Sequence, residues 1–219
     1  MSPATSFKNK KVLITLGPTR EYLDSVRFLS NGSSGKMGLA LAQEFLRAGA
    51  RVTLIAGPGV EGTALRAKRI PVVSALQMFA AVQKEFKACD YFISAAAVSD
   101  FRAEKISAEK IKRKTAMQLR LIPNPDILAE VAQHKKNQIC VGFALEDAKN
   151  SKEKNIRTAL EKLRKKNCDW IILNSTTSME SEKIDAVLIS SDGSIKNLGR
   201  IRKAECAKKI CQAIQPKNF

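Results

Sequence analysis

The chain has a single histidine, His134, and five cysteines, Cys89, Cys140, Cys168, Cys206 and Cys211, with no CxxC pair among them. His134 lies in an amphipathic helical pattern beside Lys135 and Lys136 and reads as a surface residue. That leaves no material for a histidine triad or a histidine metal site. An odd number of unpatterned cysteines fits reduced thiols better than a disulfide or zinc framework. Aromatic residues make up only 5%, with one Trp and two Tyr, too few for a single-strand nucleic-acid binder built on base stacking. No apolar run reaches the roughly 18 residues of a membrane span. The opening MSPATSFKNKK also lacks the apolar segment of a signal peptide. The expectation is a cytoplasmic protein without membrane contact.

Acidic residues are scarce as well: 21 Asp and Glu stand against 38 Lys and Arg, a formal net charge of +17. Such an excess favours polyanionic partners, whether nucleic acid, an anionic membrane or small phosphorylated substrates. It does not choose among them. Much of it lies in SKEKNIRTALEKLRKK and RIRKAECAKK, where basic and apolar residues alternate at helical spacing and a solvated helix face accounts for the charge. No set of base-edge readers accompanies it, so nucleic acid is not expected as a partner.

What is present points to one globular domain over residues 1–219. Apolar runs of strand length recur at KVLITLG, RVTLIAG, RIPVVS, DYFISAAAV, ICVGFAL and DWIILNS, with helical patterns between most of them. That alternation predicts an α/β class: a Rossmann-like three-layer fold with a mostly parallel sheet and helices on both faces. After Gly32, Gly35 and Gly38, the residues Leu39, Ala42, Phe45 and Leu46 form one helical stripe, and Gly49 follows at its C-terminus. A second helix near 75–87 stripes Leu76, Phe79, Val82 and Phe86. Asn124 before Pro125 reads as an N-cap opening NPDILAEVAQHKK. Two further helices are predicted over 149–166 and 200–215, and DAVLISSDGSIKNL reads as a hairpin closed by Asp192-Gly193.

Two long connections, GPTREYLDSVRFLSNGSSG and DFRAEKISAEKIKRKTAMQLRLIPNPD, follow the first and fourth predicted strands. Open α/β sheets place ligands at the C-terminal ends of strands, and connections of this length are usually functional or mobile. The glycine cluster in the first is not a P-loop: Ser30 occupies the place of the first glycine, and Gly35-Lys36 is followed by Met37 where Ser or Thr belongs. Nor does it sit in the tight turn of a dinucleotide fingerprint. What survives is the physics of Ser33, Ser34 and glycine amides at a helix start, which suits phosphate or carboxylate; close helix packing on the sheet also explains a glycine there. Further polar candidates are Asn31, Asp100, Lys110, Lys112, Asn124, Asp126 and Asn174. Mixed carboxylates and lysines suit a magnesium nucleotide. A NAD(P)-dependent oxidoreductase is the alternative, but VTLIAGPG ends in Gly57, Pro58 and Gly59 with no acid to grip a ribose.

The motifs GPTREYLDSVRFLSNGSSGKMG, AAAVSDF, EKIKRK, NPDIL, VGFALE and KKNCDWIILN stand in an order and spacing that resembles phosphopantothenoylcysteine synthetase, the phosphopantothenate-cysteine ligase of coenzyme A biosynthesis. The resemblance covers nearly the whole chain and implies the CTP-dependent bacterial type. CTP would activate the carboxylate of 4′-phosphopantothenate as an acyl-cytidylate with loss of pyrophosphate, and cysteine would then form the amide and release CMP. Asn31 matches the asparagine that holds the acyl-cytidylate, and Lys110 the lysine needed to form it. Ser33, Ser34 and Gly35 would take the phosphate of phosphopantothenate. Nucleotide contacts carry over to Ser94, Ala95, Ala96, Asp100, Pro125, Asp126, Ile127, Leu128, Phe143, Lys162 and Lys166. Magnesium is implied by the pyrophosphate leaving group, with no ligand set assigned. Family members are dimers, which makes 100–123 a lysine-rich flap whose KIKRKTAMQLRL segment is a candidate dimerisation hairpin. Only about ten residues precede the first predicted strand, so the expectation is that a separate protein supplies phosphopantothenoylcysteine decarboxylase. Leu16, Asp147 and Ser175 depart from the family's usual residues around the nucleotide pocket.

Overall fold

Every residue of Val12–Leu16 is buried, the pattern of a strand covered on both faces rather than one facing water. The computed structural model describes residues 6–60, 65–113, 116–147, 149–178 and 181–215. In chain order the elements are β1 (Lys11–Leu16), β2 (Arg20–Tyr22), β3 (Phe28–Ser30), α1 (Lys36–Arg47), β4 (Arg51–Ala56), β5 (Lys68–Pro71), α2 (Ala75–Phe86), β6 (Tyr91–Ser94), β7 (Phe101–Ala103), β8 (Leu121–Pro123), α3 (Ile127–Ala132), β9 (Ile139–Glu146), α4 (Lys152–Lys165), β10 (Trp170–Ser175), β11 (Lys183–Ser190), β12 (Ile195–Arg202) and α5 (Lys203–Ala213). The main sheet has eight strands in the order β12-β11-β10-β9-β6-β1-β4-β5. It is parallel from β10 to β5, and β11 and β12 extend it antiparallel.

Strand alternation divides the core in two. Val12, Ile14 and Leu16 of β1 point to the side covered by α1 and α5, where Leu41, Phe45, Ala207 and Ile210 meet them. Leu13 points to the other side, covered by Met78 and Val82 of α2, Leu128 of α3 and Leu163 of α4. Phe7 packs edge to face against both Phe45 and Tyr91, the first pair 5.0 Å apart at 86°. Each fully buried Leu, Ile or Phe stabilises this arrangement by about 1.5–3 kcal/mol. No helix among the described residues is long and apolar enough to cross a membrane.

Several local expectations shift. In α2 the buried stripe is Ala75, Met78, Val82 and Phe86, and Leu76 is 46% exposed. A capping box from Ser74 and Gln77 fixes the helix start at Ala75, and the i, i+3, i+7, i+11 set counted from there faces the sheet. At α3 the N-cap is Asp126, whose carboxylate accepts from the Ala129 amide at 3.1 Å, and not Asn124. The Asn124 side chain donates instead to the Ser99 carbonyl, 2.9 Å away. The first long connection contains the β2–β3 hairpin, Arg20 opposite Ser30 and Tyr22 opposite Phe28. In the second, the pairing runs between Phe101–Ala103 and Leu121–Pro123, so KIKRKTAMQLRL does not fold back on itself among the described residues; its Lys114 and Thr115 lie outside them. The pairing is locked from the side by Arg102, which donates to the Pro123 carbonyl at 2.6 Å and to Asn124 Oδ1 at 3.0 Å. The C-terminal hairpin closes at Asp192-Gly193 as expected, with Gly193 at φ 89°.

Gly38 sets the approach of α1 to the sheet. A Cβ there would lie 2.4 Å from the Cβ of Leu16, closer than two carbons can sit, so α1 would have to lift off β1. Gly38→Ala is therefore expected to lower stability by about 2 kcal/mol, read as a fall in Tm of about 4–8 °C; an unchanged Tm would contradict this packing.

Candidate active site

The chain runs outward from β1 through β4 to β5, then returns to place β6 on the opposite side of β1. The C-terminal ends of β1 and β6 thus flank the point where strand order reverses, the place where such sheets leave a crevice. The loops leaving these two strands are tied together. Ala95 and Ala97 donate their amides to the carbonyls of Thr15 and Gly17 at 3.1 and 2.9 Å, and Pro18 bridges Ala97 as an extra parallel step. Thr19, fully buried, accepts from the Ser99 amide through its hydroxyl at 3.0 Å, while its carbonyl accepts from the Ser30 hydroxyl at 2.7 Å. Asn31 follows directly, and its side-chain amide donates to the Val98 carbonyl at 3.0 Å. One of its two amide hydrogens is engaged, which fixes the rotamer and leaves the second for a ligand.

The result is a cleft of about 630 Å³, lined by residues 31–38, 94–100, 124–128, Phe143, Leu145, Lys166, Asn174, Ser178, Ile184 and Lys203. It gathers Asn31, Ser33, Ser34, Gly35, Ser94, Ala95, Ala96, Asp100, Pro125, Asp126, Ile127, Leu128, Phe143 and Lys166. Lys110 and Lys162 are not in its wall. Lys110 and Lys112 are exposed on the segment between β7 and β8, and Lys162 is paired with Glu146. Lys166 reaches Asp126 at 2.9 Å. His134 is exposed.

At the start of α1, Gly35 is the N-cap in left-handed conformation, φ 69°, with no capping side chain and no acidic residue in the first turn. A side chain at this φ would be strained, and its Cβ would meet Val60 at 2.7 Å. The first-turn amides are consequently left for an incoming anion. Ser99 lines the same cleft, and its hydroxyl is buried without a hydrogen-bond partner among the described residues. None of the cysteines lines this cleft. Burial pushes Cys140, Cys168 and Cys206 up to about 12, far from a reactive thiolate at neutral pH.

Sequence reasoning missed four buried polar residues, Ser99 and Lys203 in the cleft wall and Glu21 and Asp24 in the β2–β3 hairpin. Glu21 accepts from the Ala75 amide at 2.9 Å, placing a carboxylate on the start of α2. Ser99 stands in the AAAVSDF motif without a role of its own. Lys203, assigned to a solvated helix face, is 9% exposed and lines the cleft. The fourth is Asp24, 1% exposed, whose carboxylate gathers the amides of Val26 and Arg27 at 2.8 and 2.7 Å, the Arg27 guanidinium at 2.7 Å and the Ile111 amide at 3.0 Å. Asp followed by Arg three residues on was the available signal for this turn. The last contact hangs the Lys110 segment on the β2–β3 hairpin, and a second tether joins the Ser107 amide to the Leu23 carbonyl at 3.0 Å.

The amide of Arg27, then those of Val26 and Ile111 and the Arg27 charge, hold Asp24 down from 3.8 to about 2 against the opposing effect of burial. A carboxyl with a depressed native pKa stabilises the fold above its unfolded pKa and loses that contribution as pH falls through the native value. The stability difference between the protein and Asp24→Asn is therefore expected to shrink as pH drops from about 4 to about 2. Parallel denaturation curves over this window would show it, and a difference independent of pH would contradict it.

A match to the DNA/pantothenate metabolism flavoprotein C-terminal domain covers residues 7–217. The coenzyme A biosynthesis bifunctional protein CoaBC of Borreliella burgdorferi is 40% identical over 210 residues, covering 94% of this chain and 53% of that protein. The chain therefore spans about half the length of the curated relatives it matches. The crystal structure of the C-terminal domain of CoaBC superposes with a TM-score of 0.82 at 33% identity, covering 96% of both chains. A Cab2 mutant in complex with phosphopantothenate-cysteine shares the fold, with a TM-score of 0.75 at 19% identity over 94% of this chain and 86% of that one. With its cleft at the sheet's reversal point and this likeness running almost end to end, the chain belongs to the family of DNA/pantothenate metabolism flavoprotein C-terminal domains.

Proposed function

We propose that the chain is a CTP-dependent phosphopantothenate-cysteine ligase of coenzyme A biosynthesis, acting in the cytoplasm. The carboxylate of 4′-phosphopantothenate attacks the α-phosphorus of CTP and expels pyrophosphate. The amine of cysteine then attacks the acyl carbon of the acyl-cytidylate, loses a proton and displaces CMP. The observation that carries this reading is the convergence of Asn31, the uncapped α1 start, the β6 loop and the α3 start on one cleft. Its support from likeness is the CoaBC relationship and a fold neighbour solved with phosphopantothenate-cysteine.

Each part of the cleft has a task in this scheme. Asn31 offers its free amide hydrogen to the acyl carbonyl; being neutral and non-nucleophilic, it stabilises the oxygen as charge develops without competing for the carbon. Ser33, Ser34 and Gly35 present the α1 start to a phosphoryl group. Ser94, Ala95, Ala96, Pro125, Ile127 and Leu128 frame the nucleotide, with Phe143 beside its base. Lys166 and Lys162 hold carboxylates that phosphate can replace as the stronger anionic partner. Lys110 closes on the triphosphate from the flap.

Asp100 and Asp126 are the acids in the cleft wall, and Asp126 is already engaged by Lys166 and the Ala129 amide. No cluster of three or more His, Cys, Asp or Glu stands ready to hold a metal among the described residues. The donor set fits a magnesium ion that phosphate oxygens would chiefly carry, and Asp100 would hold it from the protein side. When bound, the ion supplies charge neutralisation for the departing pyrophosphate.

The β2–β3 and β7–β8 hairpins lie against each other and expose Val26 at 57%, Phe101 at 53% and Ile106 at 65%. Apolar residues grouped this way favour a homodimer with the hairpins as part of the contact. The oxidoreductase alternative gains nothing: β4 runs into Gly57, where a Cβ would lie 1.8 Å from the Pro18 carbonyl oxygen, and Gly57, Pro58 and Gly59 put no acid at the strand end. Pyrophosphate release with phosphopantothenate, cysteine and each nucleoside triphosphate in turn tests the reading. CTP is expected to support release, whereas release that ignores phosphopantothenate, or none with any nucleotide, would overturn it.

A further inference from the structure

One corner of the cleft carries more positive charge than the residues assigned so far require. α1 and α5 pack against each other, and the first residue of each, Lys36 and Lys203, lines the cleft. Lys36 is paired with Glu182. Lys203 is 9% exposed, and its ammonium has no ion pair or hydrogen bond among the described residues; only its backbone amide is used, donating to the Glu182 carbonyl at 3.0 Å.

This is a poor place for a lysine without an anionic partner. Burial removes its water, the start of α5 presents the positive end of a helix, and Lys36 adds a like charge. Burial first and Lys36 second hold its pKa below the ordinary lysine range, and Glu182 opposes them from a side chain that is 77% exposed. An unpaired buried cation lowers stability relative to an apolar residue of the same length. The start of α1 beside it also lacks a partner, having no cap and no acid in its first turn. Lys203, the first residues of α1 and the hydroxyl-bearing Ser33 and Ser34 line one cleft, and the carboxylate of Glu182 is taken by Lys36. A dianionic, tetrahedral group with several acceptor oxygens satisfies all of these donors together.

We infer that the Lys203 ammonium is the counter-charge of a phosphoryl group bound at the start of α1, so that the last helix of the domain contributes a binding residue to the cleft. The inference rests on the ligase reading, which brings two phosphorylated reactants to this cleft. The group is either a phosphate of the nucleotide tail or the monoester of phosphopantothenate.

Calorimetric titration of the protein, Lys203→Met and Lys203→Arg with CTP and with phosphopantothenate separately distinguishes the sources. Lys203→Met is expected to bind one of the two about tenfold more weakly and the other within about twofold, and the ligand that suffers identifies the group. Lys203→Arg retains the charge and is expected to bind both within about threefold. Ligand-free Lys203→Met is expected to melt at or above the temperature of the unaltered protein, since an unpaired charge has been removed. Unchanged binding of both ligands by Lys203→Met, or an equal loss of both with a lowered melting temperature, would overturn the inference and reduce Lys203 to a packing residue. Failure of the unaltered protein to bind either ligand would instead remove the ligase reading, and this inference with it.

Discussion

Asn31→Ala is expected to form acyl-cytidylate at close to the normal rate yet to make the amide about 10²–10³-fold more slowly. In the proposed scheme, pyrophosphate departure is assisted by cations and helix amides that this change does not touch. Amide formation needs a donor on the acyl oxygen as it gains charge, a part the proposal gives to Asn31, whose side-chain amide the Val98 carbonyl holds in one orientation. Asn31→Asp makes the same point more severely, because a carboxylate offers no donor and repels the developing oxyanion. Rapid-quench experiments would separate the two steps, with intermediate accumulating while product stalls. Normal final turnover in either variant would defeat the assignment.

Lys110→Gln is expected to act one step earlier, suppressing the intermediate itself by about a hundredfold. Lys110 stands outside the cleft wall, exposed on the flap. Its neighbour Ile111 is bonded to Asp24, and Ser107 to Leu23, so the flap is mounted on the hairpin whose second strand leads into Asn31. On this account nucleotide binding draws the flap inward and brings a point cation to the triphosphate, while Asn31 keeps its position. Such closure places Lys110 in charge of pyrophosphate departure and leaves cysteine attack to Asn31. Accumulation of acyl-cytidylate at the normal rate in Lys110→Gln would contradict it.

The central strands of the parallel sheet were legible because they are buried on both faces, unlike the edge strand β5. KVLITLG and ICVGFAL read as continuous apolar runs, and burial of Val12–Leu16 on both sides is the physical origin of that signal. The two small hairpins were not legible, since strands of three residues are too short to display alternation. Asn124 looked like a cap because Pro followed it, but the decisive contacts, to Ser99 and Arg102, come from loops remote in sequence. Leu76 and Met78 belong to competing stripes of one helix, and the choice between them is made by where the Ser74 cap begins the count.

The candidate site divides in the same way. Asn31, the α1 start and the α3 start stood out because residue type and position relative to a helix or strand end carry the chemistry. Asp24 and Lys203 did not, because their roles arise from burial. An aspartate in a polar loop and a lysine in RIRKAECAKK read as solvated until the fold covers them.

The most direct measurement is the electron density of crystals grown with 4′-phosphopantothenate and CTP in the absence of cysteine. The account predicts an acyl-cytidylate in the cleft between residues 31–38 and 124–128, its carbonyl oxygen within hydrogen-bonding distance of Asn31 Nδ2 and a phosphoryl group on the start of α1. Nucleotide bound at the opposite, N-terminal ends of β1 and β4, or an acyl carbonyl turned away from Asn31, would contradict it.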